Sequence, residues 1–303
     1  MYQNIFMKQL KMMLFRIAPL VMVLFTWSSF SASILKSGAE LGKWSMDLDA
    51  GIKLAEKHNL AIFLNFTGSD WCGWCKLMDR SVFSDVEWSK FATENLSLVT
   101  IDFPQNPEIV PAHFKDRNLK LQERFGIMGY PTYVLLESDG KAELGRLGAN
   151  QDKSIKRFKQ EVLDIIKYSK GQVETYTKEF SPEQATEYKS LVDQLNKMKS
   201  EFGNWLQSQP QENEENFTKF TNYLSQLNEA SIKIDTIEAE KFSKSLSQDK
   251  AKEYLALTAK LNQHRMEMDQ WLQSRPEANE INRIKKESLE SKIKQLTKQI
   301  NQF

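Results

Sequence analysis

A nearly continuous apolar run followed closely by two cysteines is the feature that most narrows the folds open to this chain. Residues 60–66 read LAIFLNF, a pattern typical of a strand that is buried on both faces. Cys72 and Cys75 follow, and they are the only cysteines among 303 residues. A helical pattern continues from Cys75 to Val82, so the pair lies where a strand passes into a helix.

This position gives the two sulfurs a specific chemistry. The first turn of a helix leaves backbone N–H groups unpaired and carries the positive end of the helix dipole. A cysteine at that end has a lowered pKa and forms the thiolate that attacks disulfides. Cys75, one helical turn after Cys72, is close enough to displace the resulting mixed disulfide. The pair is therefore suited to act as a redox couple.

Two other interpretations of the cysteines stay open at this point. A zinc site requires four ligands, and besides the cysteines the chain offers only His58, His113 and His264, none at the spacing of a second ligand pair. A structural disulfide that closes so short a loop removes little entropy from the unfolded chain, so stability is a weak reason for it.

The remainder of the first half predicts an α/β region. We expect helices near residues 44–59, 75–82, 85–94, 118–125 and 151–168, and strands near 60–66, 96–103, 133–137 and 142–147. Helices that alternate with buried strands indicate a central mixed sheet with helices on both faces. Its last two strands are expected to pair antiparallel around a turn at residues 138–141.

From about residue 170 the pattern changes to long helices rich in Gln, Asn, Lys and Glu. An offset of 66 residues aligns this region with itself without gaps, so that Trp205 and Pro210 recur as Trp271 and Pro276. We predict an all-α region of two repeated helical hairpins, at about 181–230 and 247–296, whose helices pair as in a coiled coil. The expected segments of the chain are 1–33, 34–169 and 170–303.

The segment 1–33 has the order of a secretory signal peptide. Lys8, Lys11 and Arg16 precede an apolar run at 17–27, and small residues follow it, with cleavage expected after Ser33. The alternative is an uncleaved N-terminal anchor, the one case in which we expect membrane contact. We therefore predict a periplasmic or secreted protein. Its 41 basic and 40 acidic side chains nearly cancel, which argues against nucleic acid as a partner.

Several motifs together resemble the thioredoxin superfamily. Residues 71–76 read WCGWCK, residues 129–132 read GYPT, and an Asp-Gly turn lies at 139–140. The longer string GSDWCGWC at 68–75, with DFP at 102–104, is similar to the exported bacterial branch of that superfamily. The resemblance covers about residues 44–168 and implies a thioredoxin-like three-layer fold, followed here by the helical hairpins.

The resemblance also implies roles for individual residues. Cys72 is expected to be the attacking nucleophile and Cys75 the resolving thiol. Pro131 matches the cis-proline of the superfamily, and Tyr130 before it is expected to offer backbone hydrogen bonds to an extended substrate. Trp71 is expected to shield one side of the site. The residues expected to contact substrate are Trp71, Gly73, Trp74, Tyr130 and Pro131.

Two departures from the superfamily pattern affect the expected chemistry. Asn65 stands nearest to the place of the buried aspartate that accepts protons in thioredoxins, which leaves proton transfer to Asp70, Lys76, water or no group at all. Gly73-Trp74 replaces the Gly-Pro pair between the cysteines, and these residues help to set the reduction potential. The direction of electron flow is therefore open.

The sequence favours an exported thiol–disulfide oxidoreductase that needs no cofactor or metal. Its expected partners are cysteine-containing exported proteins or an upstream redox partner. The alternative is a thioredoxin-fold scaffold whose helical region mediates protein–protein contacts. A third expectation joins the two, with a homodimer formed through the helical region.

Overall fold

The described part of the chain begins after the predicted signal peptide. A computed structural model describes residues 34–150, 154–274, 276–277 and 279–303. The predicted signal segment 1–33 lies outside the described residues. Within the described residues, no helix combines the length and the apolar composition that a membrane crossing requires.

Five strands of the described chain form one mixed sheet in the order β1-β3-β2-β4-β5. The strands are β1 (Trp44–Ser45), β2 (Ala61–Thr67), β3 (Leu96–Asp102), β4 (Thr132–Leu136) and β5 (Glu143–Gly148). β3 runs parallel to β1 and β2, whereas β4 runs antiparallel to β2 and β5. This confirms the predicted mixed sheet and its antiparallel last pair. β2, which leads into the cysteines, lies at the centre.

Helices cover both faces of this sheet. The helices of the first half are α1 (Leu48–His58), α2 (Gly73–Met78), α3 (Val86–Asn95), α4 (Ala112–Arg124) and α5 (Ile155–Ile166). Phe63 and Tyr133 pack with side chains of α2, α3 and α5 on one face, and Ile62 and Leu64 pack with α1 and α4 on the other. Successive residues of a strand point to opposite faces, so the apolar run of β2 fills two cores. The predicted three-layer fold is confirmed.

Three local predictions in this half differ from the structure. Trp44 pairs with Leu98 of β3 in a short strand, and the helix predicted from residue 44 begins only at Leu48, capped by Asp47. α4 begins at Ala112, directly after Pro111, and not near residue 118. The helix after Cys75 changes at residue 79 into a π-helical turn, Asp79–Phe83. Hydrophobic periodicity alone does not indicate where these helices begin or where the helix type changes.

The second half of the described chain is helical. Its helices are α6 (Lys170–Tyr176), α7 (Pro182–Gln207), α8 (Glu214–Ser243), α9 (Gln248–Gln273) and α10 (Glu280–Ile300). α7 and α9 have 26 residues each, and α8 and α10 both follow an asparagine cap, Asn213 and Asn279. Each cap accepts a hydrogen bond from the backbone N–H three residues later. α8 also includes the segment that joins the two predicted hairpins.

Two carboxylates take part in the contacts between the two halves, Glu238 of α8 and Glu137 of the sheet region. Glu238 forms an ion pair with Lys167, which follows α5, at 2.7 Å. Within the helical region, Glu238 also accepts a hydrogen bond from the Tyr188 hydroxyl at 2.7 Å. The backbone N–H of Lys170 contacts the buried Glu137 carboxylate of the sheet region at 3.2 Å. The helical region therefore packs directly against the sheet region, and the division near residue 170 stays a prediction.

Candidate active site

The two cysteines are joined as a disulfide at the start of α2. Cys72 is the N-cap residue, and its Sγ accepts a hydrogen bond from the backbone N–H of Cys75 at 3.2 Å. The Cα atoms are 5.3 Å apart, and only 5% and 6% of the two residues is exposed. In the reduced state, the same N–H and the helix dipole would stabilise a Cys72 thiolate. The geometry favours Cys72 as the more reactive sulfur.

The residues around the disulfide present an apolar rim. Trp71 and Trp74, which adjoin the two cysteines in the sequence, are 43% and 45% exposed. A Cβ atom added to Gly73 would meet nothing within 4 Å, so the surface between the two tryptophans is open. Exposed large apolar side chains grouped at a reactive pair are suited to bind an apolar polypeptide segment.

The structure brings the later GYPT motif to this rim. The Tyr130–Pro131 peptide bond is cis, the isomer that the resemblance implies. The ring of Trp71 meets the Tyr130 ring edge-on, with centroids 5.7 Å apart, and Phe103 lies 5.5 Å from Tyr130 on a second side. Gln122 of α4 donates a hydrogen bond to the Tyr130 hydroxyl at 2.8 Å. Segments that are about 60 residues apart in the sequence therefore form one wall.

Two aspartates fasten the loop before the cysteines, residues 68–71, to the loop that begins at the end of β3, residues 102–106. Asp102 accepts hydrogen bonds from the backbone N–H and the hydroxyl of Ser69, at 2.9 and 2.6 Å. Asp70 accepts the backbone N–H groups of Gln105 and Asn106, at 2.9 and 2.7 Å. We call Asp70 and Asp102, with the groups that they bind, the carboxylate clamp.

The two carboxyl groups of the clamp differ in their electrostatics. Burial raises the pKa of Asp102 above its usual value, although the hydrogen bonds from Ser69 oppose the rise. The backbone N–H groups of Asn106 and Gln105 lower the pKa of Asp70, which is on the surface. Asp70 therefore keeps its charge at neutral pH, with both oxygens engaged. The Lys76 ammonium donates to the Asp70 backbone carbonyl at 2.6 Å.

Asn65 lies in β2, the strand that leads into the cysteines. It pairs across the sheet with Tyr133, so the two side chains share the face that α2 covers. Among the described groups, neither the Asn65 Oδ1 atom nor the Tyr133 hydroxyl has a hydrogen-bond partner, although both are buried. Burial raises the pKa of Tyr133, and the nearby Asp79 carboxylate adds to the rise. Asn65 thus adds no titratable group to the face of the sheet that α2 covers.

Sequence reasoning missed the contacts of Asp102, Phe103 and Gln122. The signal for Asp102 was present, because a carboxylate at the end of a buried strand lies at the same sheet edge as the end of its parallel neighbour. Phe103 accepts a hydrogen bond from the Trp71 indole N–H at 2.8 Å through its backbone carbonyl, which no residue pattern predicts.

Comparison with known proteins agrees with this geometry. Residues 48–158 match the family model described as a thioredoxin-like domain. This part of the chain is a thioredoxin-like domain. The matched residues include the whole central sheet except β1, both cysteines, and the cis Tyr130–Pro131 peptide.

Two relatives from Chlamydia pneumoniae are similar to the thioredoxin-like domain. The disulfide bond reductase DsbH is 32% identical over 106 residues, which are 35% of this chain and 62% of DsbH. The thioredoxin-related protein DsbJ is 24% identical over 107 residues, which are 35% of this chain and 30% of DsbJ. The chain thus spans less than two thirds of the length of either relative.

Two solved structures are also similar. A DsbH oxidoreductase structure is 26% identical, with a TM-score of 0.38, and the match covers 45% of this chain and 87% of that one. A thioredoxin from Thermus thermophilus is 20% identical, with a TM-score of 0.33, and the match covers 46% of this chain and 96% of that one.

Proposed function

We propose that the chain is an exported thiol–disulfide oxidoreductase that reduces disulfides in cysteine-containing proteins. The observation that carries the proposal is the Cys72–Cys75 disulfide at the N-terminus of α2, at a rim formed with the cis Tyr130–Pro131 segment. Reduction is favoured as the direction because the relative DsbH is named a disulfide bond reductase. Export follows from the predicted signal peptide, which would place the protein in the periplasm or outside the cell.

The proposed reaction begins with the reduced pair. The Cys72 thiolate attacks one sulfur of a substrate disulfide, which forms a mixed disulfide and releases the other substrate sulfur as a thiolate. The Cys75 thiolate then attacks Cys72 Sγ, closes the Cys72–Cys75 disulfide and releases the second substrate thiolate. The substrate gains two electrons and the protein loses two. An upstream dithiol partner must return them.

The surrounding residues would hold the substrate for these steps. Trp71, Gly73 and Trp74 form the rim that an apolar segment would contact, and the backbone at Tyr130–Pro131 would pair with an extended chain. Both oxygens of Asp70 are engaged, and Lys76 bonds to a backbone carbonyl, so we assign neither of them to proton transfer. We therefore propose that water protonates the released thiolates.

A trapping experiment tests the proposed reaction. In Cys75→Ser, the resolving thiol is absent, so attack by Cys72 on insulin should stop at the mixed disulfide. We expect a covalent adduct of one protein and one insulin molecule, detected by mass spectrometry and released by dithiothreitol. Cys72→Ser is the matched control and should form no adduct through Cys75, which is equally buried but is not the N-cap residue. Equal adduct in both variants, or none in either, would contradict the assignment.

A second candidate function is binding through the helical region. It is favoured by exposed aliphatic side chains on α9 and α10, of which Ile281 is 78%, Ile284 54% and Met266 47% exposed. Such a surface would engage a client protein or a second copy of the chain, as in the predicted homodimer. Binding of this kind would be insensitive to dithiothreitol and equal in Cys72→Ser, so the trapping experiment separates the two functions.

A further inference from the structure

We propose that Asp70 and Asp102 are positioning residues that fix Trp71 in the wall that it forms with Tyr130, at the rim where a substrate would bind. The proposal rests on the proposed function, because it concerns how the same redox site holds a polypeptide. It gives the carboxylate clamp a role in substrate binding, whereas neither aspartate takes part in the chemical step. The predicted contribution is therefore to affinity for a polypeptide substrate.

The contacts of Trp71 show how the wall is held. Its indole N–H donates to the backbone carbonyl of Phe103 at 2.8 Å, and its ring meets Tyr130 edge-on. A Cβ atom added to Gly68 would come within 2.4 Å of the indole, so the ring lies directly on the Gly68 backbone. The indole is therefore in contact on three sides although 43% of the residue is exposed.

One of these contacts, the hydrogen bond from Trp71 to Phe103, depends directly on the relative position of the two loops joined by the clamp. Gly68 and Trp71 belong to the loop before Cys72, whereas Phe103 belongs to the loop after β3. Asp102 and Ser69 join the loops at one end, next to a backbone hydrogen bond from Phe103 to Thr67 at 2.9 Å. Asp70, with Gln105 and Asn106, joins them at the other end.

A carboxylate is the side chain best suited to the Asp70 position. Its two oxygens each accept one of two successive backbone N–H groups, and charge strengthens both hydrogen bonds. An amide has one oxygen in place of two and would retain part of this geometry. Asp70 itself is on the surface and contributes no apolar side chain to either core, so its replacement leaves the cores intact.

A fixed indole matters most for a large substrate. A polypeptide that lies across the rim contacts Trp71 and the Tyr130 segment together, and misplacing one wall costs binding energy. A small aromatic disulfide needs only access to Cys72. The clamp should therefore act on KM for a polypeptide disulfide and leave the reaction with a small disulfide nearly unchanged.

The test compares Asp70→Ala and Asp70→Asn in the full chain, with insulin and with 5,5′-dithiobis(2-nitrobenzoate) as substrates. We expect Asp70→Ala to raise KM for insulin about tenfold with kcat nearly constant, and Asp70→Asn to recover part of the loss. The rate with the small disulfide should change less than about twofold. The matched control is Asp85→Ala, which removes a carboxylate that accepts a backbone N–H at 2.8 Å on α3, away from the wall.

A double-variant cycle checks that Asp70 acts through Trp71. Trp71→Phe removes the hydrogen bond to Phe103, and we expect the KM effect of Asp70→Ala to shrink to less than about twofold in that background. Asp102 is buried, so the Asp102→Ala variant has a greater risk of misfolding. If Asp102→Ala folds, it should raise KM as Asp70→Ala does; if it does not fold, the result with Asp70→Ala alone tests the proposal. An unchanged KM, equal losses with both substrates, or additive effects would overturn the proposal. If the unmodified chain reduces neither substrate, the proposed function itself fails.

Discussion

Replacing Cys72 with serine is expected to reduce disulfide exchange to the rate observed without protein. The hydroxyl of serine does not ionise near neutral pH, so the helix N-terminus has no thiolate to stabilise. No second cysteine can replace it in the first attack with equal geometry, because Cys75 lies inside α2 while Cys72 caps it. The measurement is insulin reduction with dithiothreitol as the electron source, followed by turbidity.

The Cys72→Ser variant must be shown to fold. Both cysteines are more than nine-tenths buried, so the circular dichroism spectrum and the thermal midpoint of Cys72→Ser and Cys75→Ser should be compared with those of the unmodified chain. We expect native-like spectra from both. Retention of the full reduction rate in folded Cys72→Ser would remove Cys72 from the reaction.

Replacing Gly171 with alanine is expected to destabilise the fold strongly, although it adds only one methyl group. Gly171 lies where the described helical region packs against the sheet region. A Cβ atom at Gly171, in α6, would lie 1.9 Å from the backbone oxygen of Asn59. That turn is fixed, because Asn59 holds a left-handed conformation, with φ 55°, and its N–H bonds to Ala55. One backbone must therefore shift, and we expect a loss of about 2 to 3 kcal/mol in the free energy of unfolding.

Gly203→Ala provides the matched control for this change. Gly203 lies inside α7, where an added Cβ atom would meet nothing within 4 Å. Alanine favours a helix interior over glycine, so we expect this variant to gain up to about 1 kcal/mol. Urea unfolding followed by circular dichroism measures both midpoints. Equal shifts for the two variants would contradict the close packing of α6 against the turn at Asn59.

The sheet and the cysteine position could be predicted from local pattern. β2 and β3 are buried on both faces and largely apolar in sequence, so both strands could be recognised without knowledge of distant contacts. Cys72 was predictable as a helix-capping sulfur because β2 ends five residues before it and the helical spacing starts at once after it. The cis Tyr130–Pro131 peptide was available only through the resemblance to the thioredoxin superfamily.

The carboxylate clamp and the contacts between the sheet and helical regions could not be predicted from local sequence pattern. The residues that form them are far apart in the sequence. Asp70 and Asn106 are 36 positions apart, and Lys167 and Glu238 are 71 positions apart. The sequence suggests Asp70 as a candidate for proton transfer on chemical type alone. In the structure, Asp70 binds two backbone N–H groups of another loop. Every residue except proline has such a group, so the sequence does not reveal this contact.

The most direct test of the central claim is the equilibrium of the Cys72–Cys75 pair with glutathione. The full chain is incubated over a range of reduced-to-oxidised glutathione ratios, quenched with acid and alkylated, and the reduced fraction is read by mass shift. A redox couple predicts one reversible two-electron transition, reached at the same ratio from the oxidised and from the reduced protein. A disulfide that stays oxidised at every ratio until the chain is unfolded would show a structural bridge and contradict the proposed function.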